Sequence, residues 1–269
     1  MRRVLLPLLL CLGTSASADF GAVEDDASPR WTGRAILERA QENWRADTLT
    51  RVRLRAISRS GRSIEHHIEA ARRSIDGRIR TLVRLTHPPE LRDVTLLIIE
   101  NDERAEDVFL YLPVRRRVLR IPAPRRNDRF LGTDLQFNHL GGSLDLSGFR
   151  LARLPAAPDQ GEDEFVIRAE SENSQETRSY RVSRRTFVVL GVEYERNGRT
   201  VRRLEVDPDS VRRIGEDAWI PTRLVMRNLV SGTRTELEVT ELEVDPDLPD
   251  ELFSVSRLER LARRGLPKE

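Results

Sequence analysis

Over most of the stretch from Asp47 to Val244, apolar residues return at every second position, the period of a β-strand whose side chains alternate between two faces. Val52, Leu54 and Ala56 alternate with Arg51, Arg53 and Arg55; Ile79, Thr81, Val83 and Leu85 alternate with Arg80, Leu82 and Arg84. The pattern predicts further strands at Ile64 to Ala70, Val94 to Glu100, Val108 to Leu112, Arg117 to Ile121, Phe165 to Ala169 and Tyr180 to Ser183. It continues at Phe187 to Glu195, Val201 to Val206, Pro221 to Val230 and Thr235 to Val244. Turn signals at Ser60-Gly61, Asp76-Gly77, Asn197-Gly198, Gly215-Glu216-Asp217 and Ser231-Gly232 keep many links short, so neighbouring strands run antiparallel. In the last strand the phase slips between Leu237/Val239 and Leu242/Val244, which predicts a bulge near Thr240 and Glu241.

Helical spacing shows at the two ends. Thr32 can cap a helix in which Ala35, Ile36, Ala40 and Trp44 recur on one face. The chain closes with a short turn from Pro249 to Phe253 and a helix from Val255 to Arg264. A sheet of ten or more strands has to curl. Two outcomes are open at this level: a closed barrel, or an open half-barrel whose concave face is covered by helices.

Several strands are apolar on both faces, with Val108, Leu110 and Leu112 against Phe109 and Tyr111, and Leu224 and Met226 against Val225 and Leu229. An antiparallel sheet with one wet face needs only one such set, so the second must meet helices or an apolar ligand. The connection from Pro122 to Gly148 does not alternate. More than about 20 irregular residues in a compact domain cover a site or hold short helices. Its Phe130, Leu131, Leu135 and Phe137 suggest a lid that folds back on the sheet, with Gly132 and Gly141-Gly142 as hinges.

Composition narrows the class. The first 18 residues carry two arginines, an apolar run from Val4 to Leu12 and the Ala16-Ser17-Ala18 sequence, the grammar of a cleavable secretory signal. Residues 19–31 then form a flexible leader, and 32–269 a single domain. Without the signal the 269-residue chain balances 44 basic against 44 acidic residues, and interleaved charge of this kind argues against nucleic acid as a partner. The one cysteine, Cys11, lies in the signal and follows Leu10 where a lipidation site would have a small residue. The exported chain therefore has no thiol for a disulfide, zinc or catalysis.

Candidate chemistry is sparse. His66, His67, His87 and His139 give no metal-binding spacing, and adjacent His66 and His67 on a strand point to opposite faces. GxSxG, SxxK, GxGxxG and GxxxxGK[ST] do not occur, and Lys268 is the one lysine. Paired carboxylates are abundant but alternate with arginine, as solvated cross-strand pairs do. No enzyme activity and no cofactor is expected. The run Arg115-Arg116-Arg117 reads either as a solvated hairpin turn or as a docking surface for anionic headgroups or an acidic partner.

The segment Phe109-Leu110-Tyr111-Leu112-Pro113, with Arg116-Arg117-Val118-Leu119-Arg120-Ile121 and Phe130-Leu131-Gly132-Thr133-Asp134-Leu135, resembles the signature of outer-membrane lipoprotein-sorting proteins, relatives of the periplasmic lipoprotein carrier LolA. Trp219-Ile220-Pro221-Thr222-Arg223, Met226-Arg227-Asn228, Thr233-Arg234-Thr235 and Leu248-Pro249-Asp250-Glu251-Leu252-Phe253 extend the likeness. Leu135 and His139-Leu140 depart from the family pattern. The resemblance implies a mainly β (α+β) fold, a strongly curved antiparallel open half-barrel with a helical lid, LolA/LolB-like. It also implies a periplasmic carrier of lipid or lipoprotein acyl chains, with an inner-membrane transporter and an outer-membrane acceptor as partners. A lipid- or lipoprotein-sensing regulator on the same scaffold is the alternative. On this implication Trp44, Leu54, Phe109, Tyr111, Phe130, Leu131, Leu135, Phe137, Leu224 and Met226 are the candidate acyl contacts.

Overall fold

The computed structural model describes residues 31–101, 104–142, 144, 146, 148–155 and 163–266; the expected signal and most of the leader lie outside them. Helix α1 (Gly33–Glu42) precedes β1 (Thr48–Ile57), β2 (Ser63–Ile75), β3 (Arg78–His87), β4 (Thr95–Ile99), β5 (Asp107–Leu112) and β6 (Arg117–Ile121). After the irregular connection come β7 (Phe149–Leu154), β8 (Glu164–Ser171), β9 (Glu176–Ser183), β10 (Val189–Arg196) and β11 (Arg199–Val206). A small hairpin of β12 (Val211–Arg213) and β13 (Trp219–Pro221) leads to β14 (Arg223–Asn228), β15 (Thr233–Val244) and helix α2 (Leu258–Arg264).

Thirteen strands form one antiparallel sheet in the order β6-β5-β4-β3-β2-β1-β15-β14-β11-β10-β9-β8-β7. The sheet is not closed: β6 and β7 are its edges, which removes the closed-barrel outcome. The expected strands are all present with ends shifted by a few residues, while β7, β12 and β13 were not expected: β12 and β13 have three residues each, too few to show a period, and in β7 the alternation of Phe149 and Leu151 breaks at Arg153. Asp76-Gly77 and Asn197-Gly198 both take positive φ, as two-residue hairpin turns matched to strand twist require. The bulge falls at Thr240. Arg51 pairs with Glu241 and Val52 with Val239, so Thr240 is the extra residue, and its Oγ1 donates to the Arg51 carbonyl (3.1 Å). That insertion keeps Leu237, Val239, Leu242 and Val244 on one face.

Helix α1 shows that the sheet curls. Thr32 caps it by accepting from the Ala35 N–H (3.2 Å). Gly33 packs against Ile167 of β8, and the Trp44 carbonyl just past its other end accepts from Arg72 of β2 (3.3 Å). Seven strand spacings separate β2 from β8, about 34 Å across a flat sheet, while residues 33–44 span only about 16 Å. The strands must therefore bend around the helix.

Two covers account for the two apolar faces. On the inner face Leu54, Ile68, Val83, Leu96, Val108, Ile167 and Met226 form one core with Ile36, Leu37 and Ala40 of α1 and with Phe130 and Leu135 of the connection. On the outer face Ala71, Leu82, Leu97 and Tyr111 meet Phe253, Leu258, Leu261 and Ala262 near the C-terminus. Beyond that cover the outer face is a ladder of arginine–carboxylate pairs, including Arg53–Glu238, Arg55–Glu236 (2.6 Å), Arg227–Glu205 (2.9 Å) and Arg203–Glu193 (2.7 Å). Each is exposed and adds at most about 1 kcal/mol. The ladder keeps that face in water and fixes register.

Candidate apolar ligand site

The connection folds onto the inner face, as its apolar residues led one to expect, but among its described residues it does so with two short 3-10 turns, Ala123–Asn127 and Phe137–His139, rather than with α-helix. Between them residues 130–135 make a tight plug. The Phe130 N–H donates to the Leu135 carbonyl (2.8 Å), and Thr133 donates to the Phe130 carbonyl through both its N–H (2.9 Å) and its Oγ1 (2.6 Å). Leu131 and Gly132 supply the positive φ values, 46° and 78°, that turn the chain back. This geometry drives the Phe130 ring into the core, where it is fully buried and meets Phe137 edge-on at 5.6 Å.

A polar clamp holds the plug. Asp134, 3% exposed, accepts from Arg129 Nη2 (2.8 Å) and Thr233 Oγ1 (2.7 Å), and its own N–H donates to Thr235 Oγ1 (2.7 Å). Thr233 and Thr235 belong to β15, so one carboxylate ties the connection to the middle of the sheet. Further along, Arg72 donates to the Gly141 carbonyl (3.1 Å) and Thr81 Oγ1 (3.3 Å), with its guanidinium 5.0 Å from the Trp44 ring centre. Burial pulls the Arg72 guanidinium down to about 10, opposed by Glu106 and Glu100. A Cβ at Gly142 would lie 2.7 Å from Arg72 Nη2, so the close approach and the positive φ both call for glycine.

A cleft opens where the connection meets the sheet edge. Leu110, Leu112, Leu119 and Ile121 of β5 and β6 form its floor, Phe137 its roof, and Arg115, Arg125 and Asp128 its rim, around about 300 Å³. That is the low end of small-molecule sites. At the other half of the inner face the lining turns polar: Arg202 lies 4.6 Å from the Tyr194 ring centre, Arg178 4.3 Å from that of Phe149, and His139 beside Tyr194. Burial, then Arg202 and Arg178, push the His139 imidazole down to about 3, and its Nδ1 accepts from the Gln136 N–H (3.1 Å). Burial raises the Tyr194 phenol well above its ordinary range.

Of the ten candidate contacts, Leu54, Phe130, Leu135 and Met226 are buried in the inner core, and Leu131 and Phe137 pack against it half-buried. Leu224 pairs with Leu237 on the same face. Trp44 is not part of that core: its ring meets the Arg72 guanidinium and lines a separate, largely polar pocket with Glu38, Glu42, Arg45 and Glu100. Phe109 and Tyr111 are corrected: they point to the outer face and pack beneath the C-terminal cover. Alternation sends Leu110 and Leu112 inward in their place, and nothing in a doubly apolar strand says which set faces which cover. Asp134 and Arg72 were also missed, because a buried charged residue is legible only through its partners. His66 and His67 do diverge, His66 buried on the inner face and His67 exposed against Glu65 (2.6 Å).

A protein-family model described as "Uncharacterized protein" matches residues 77–260, more than half of the chain. The chain belongs to that family. No curated protein matches it. Among solved structures, a domain from Vibrio parahaemolyticus described as an outer membrane lipoprotein-sorting protein domain is 22% identical, with a TM-score of 0.73 over 83% of this chain and 98% of that one. A DUF1329 family protein from Desulfovibrio piger aligns with a TM-score of 0.73 at 18% identity, covering 84% of this chain and 98% of that one. A LolA superfamily protein from Nitrosomonas europaea aligns with a TM-score of 0.61 at 18% identity, covering 84% and 99%. The large unclosed antiparallel sheet of this chain is thus similar in fold to these three structures.

Proposed function

We propose that the protein is a periplasmic carrier that takes acyl chains of lipids or lipoproteins onto its inner face and hands them toward the outer membrane. The observation that carries this reading is the covered apolar face itself: a plug held by one polar clamp, beside a cleft whose floor continues into the core. The lipoprotein-sorting and LolA superfamily structures of the same fold support it. Phe130 and Leu135 stand where an acyl chain would lie. Exposing both costs about 3–6 kcal/mol, while a chain of a dozen methylenes leaving water gains about 10 kcal/mol, so an acyl chain can displace the plug. No catalytic group is needed. An inner-membrane loading machine and an outer-membrane acceptor would supply direction, since release requires a site that competes for the chain.

Uptake of a fluorescent fatty acid tests the reading. Leu112→Asp and Phe137→Ser, at the floor and roof of the cleft, should each weaken uptake at least tenfold, because a charge or hydroxyl there meets the methylenes. Phe109→Ser, on the outer face, should leave uptake unchanged while lowering stability by about 1–2 kcal/mol through lost burial. Unchanged uptake in both cleft variants removes the site.

A further inference from the structure

The β5–β6 hairpin carries a pattern that acyl binding leaves unused. Its tip, residues 113–116, joins Leu112 to Arg117, which pair across the two strands. The Arg115 N–H donates to the Leu112 carbonyl (3.1 Å) and the Arg116 N–H to the Pro113 carbonyl (3.2 Å), so the tip has a defined shape. Val114 within it is 93% exposed, more than any other large apolar residue described. Arg115, Arg116 and Arg117 are exposed too, and among the described residues none of the three has an ion pair. The next arginines along the chain do: Arg120 binds Asp107, and Arg125 binds Asp128 (2.9 Å).

Edge protection explains part of this. Because β6 ends the sheet, charge on it discourages pairing with another chain. That purpose accounts for the arginines but not for a valine held in water among them. An apolar tip ringed by cations suits an anionic bilayer, where the side chain enters the headgroup region and the guanidinium groups meet lipid phosphates. An acidic protein surface would match the arginines and leave Val114 without a role. Position is the second observation. Leu112, two residues before Val114, lies in the floor of the apolar cleft, and Arg115 stands on its rim.

We propose that this hairpin seats the protein on an anionic phospholipid surface with the mouth of the cleft toward the bilayer. The proposal rests on the carrier reading for its purpose but not for its test, since vesicle binding is measured without ligand. Vesicles of phosphatidylcholine containing phosphatidylglycerol should bind the protein, pure phosphatidylcholine vesicles should not, and added salt should weaken the binding. The double variant Arg116→Gln/Arg117→Gln should bind on the order of 30-fold more weakly, at about 1 kcal/mol per arginine. Val114→Ser should lose on the order of tenfold. Both variants, changed only at exposed positions, should keep their circular dichroism spectrum and their fatty-acid uptake. Absent binding by the unaltered protein, or equal binding by the variants, overturns the proposal, as does capture of an acidic protein without vesicle binding. Vesicle binding without fatty-acid uptake overturns the carrier reading and leaves the docking surface standing.

Discussion

Replacing Asp134 with Ala lowers the melting temperature by roughly 6–12 °C and loosens residues 130–135 without unfolding the sheet. The carboxylate accepts from Arg129 and Thr233, with Thr235 Oγ1 at 3.4 Å, and the whole group is buried. Its removal leaves two threonine hydroxyls and a guanidinium short of an acceptor, which costs about 3 kcal/mol once the half-exposed Arg129 has turned to water. At this chain length each kcal/mol shifts the midpoint by about 2–4 °C. Asp134→Asn keeps one acceptor oxygen and should lose about half as much. Since the clamp holds the plug shut, Asp134→Ala should also take up a fluorescent fatty acid faster. Amide exchange at residues 130–135 and stopped-flow uptake read the two effects. An unchanged melting temperature would show that the clamp carries no energy, and unchanged exchange that it does not hold the plug.

Stability should also fall as the solution is acidified through the histidine range, and His139 should carry much of the fall. Its half-buried imidazole sits among Arg202 of β11, Arg178 of β9, Tyr194 of β10 and, further off, Glu176, and the folded protein holds it down to about 3. The unfolded chain takes up the proton near pH 6.5. The sign follows from that order: the contribution is fully present above about pH 6.5 and is lost as pH falls toward 3, because the unfolded state binds the proton first. Over that window the loss approaches about 4 kcal/mol. Protonation would also destroy the Nδ1 acceptor that receives the Gln136 N–H. His66, lowered by burial and then by His87, acts in the same sense. His139→Asn offers an acceptor without a titratable ring, so its stability should lie below that of the unaltered protein at pH 7 and approach or pass it near pH 4. Chemical denaturation at a series of pH values makes the comparison. Parallel curves for the two proteins would remove His139 from the acid response.

Local order was legible in the sequence because strand period, caps and turns depend on neighbours in the chain. The alternation from β1 to β15, the Thr32 cap, the Asp76-Gly77 and Asn197-Gly198 turns and the bulge at Thr240 all follow from residues a few positions apart. So did the need for something to cover a second apolar face, and the burial of Phe130 and Leu135. The sequence alone left the choice of cover open. Phe109 and Leu110 differ little in hydrophobicity, and only the placement of α2 on one side and of the connection on the other decides that the first is structural and the second lines the cleft. The clamp was hidden for the same reason. Asp134 and Thr235 stand 101 positions apart, and a carboxylate becomes buried and paired only when folding brings its donors to it. Covalent neighbours set the strands, and contacts between distant strands set the site.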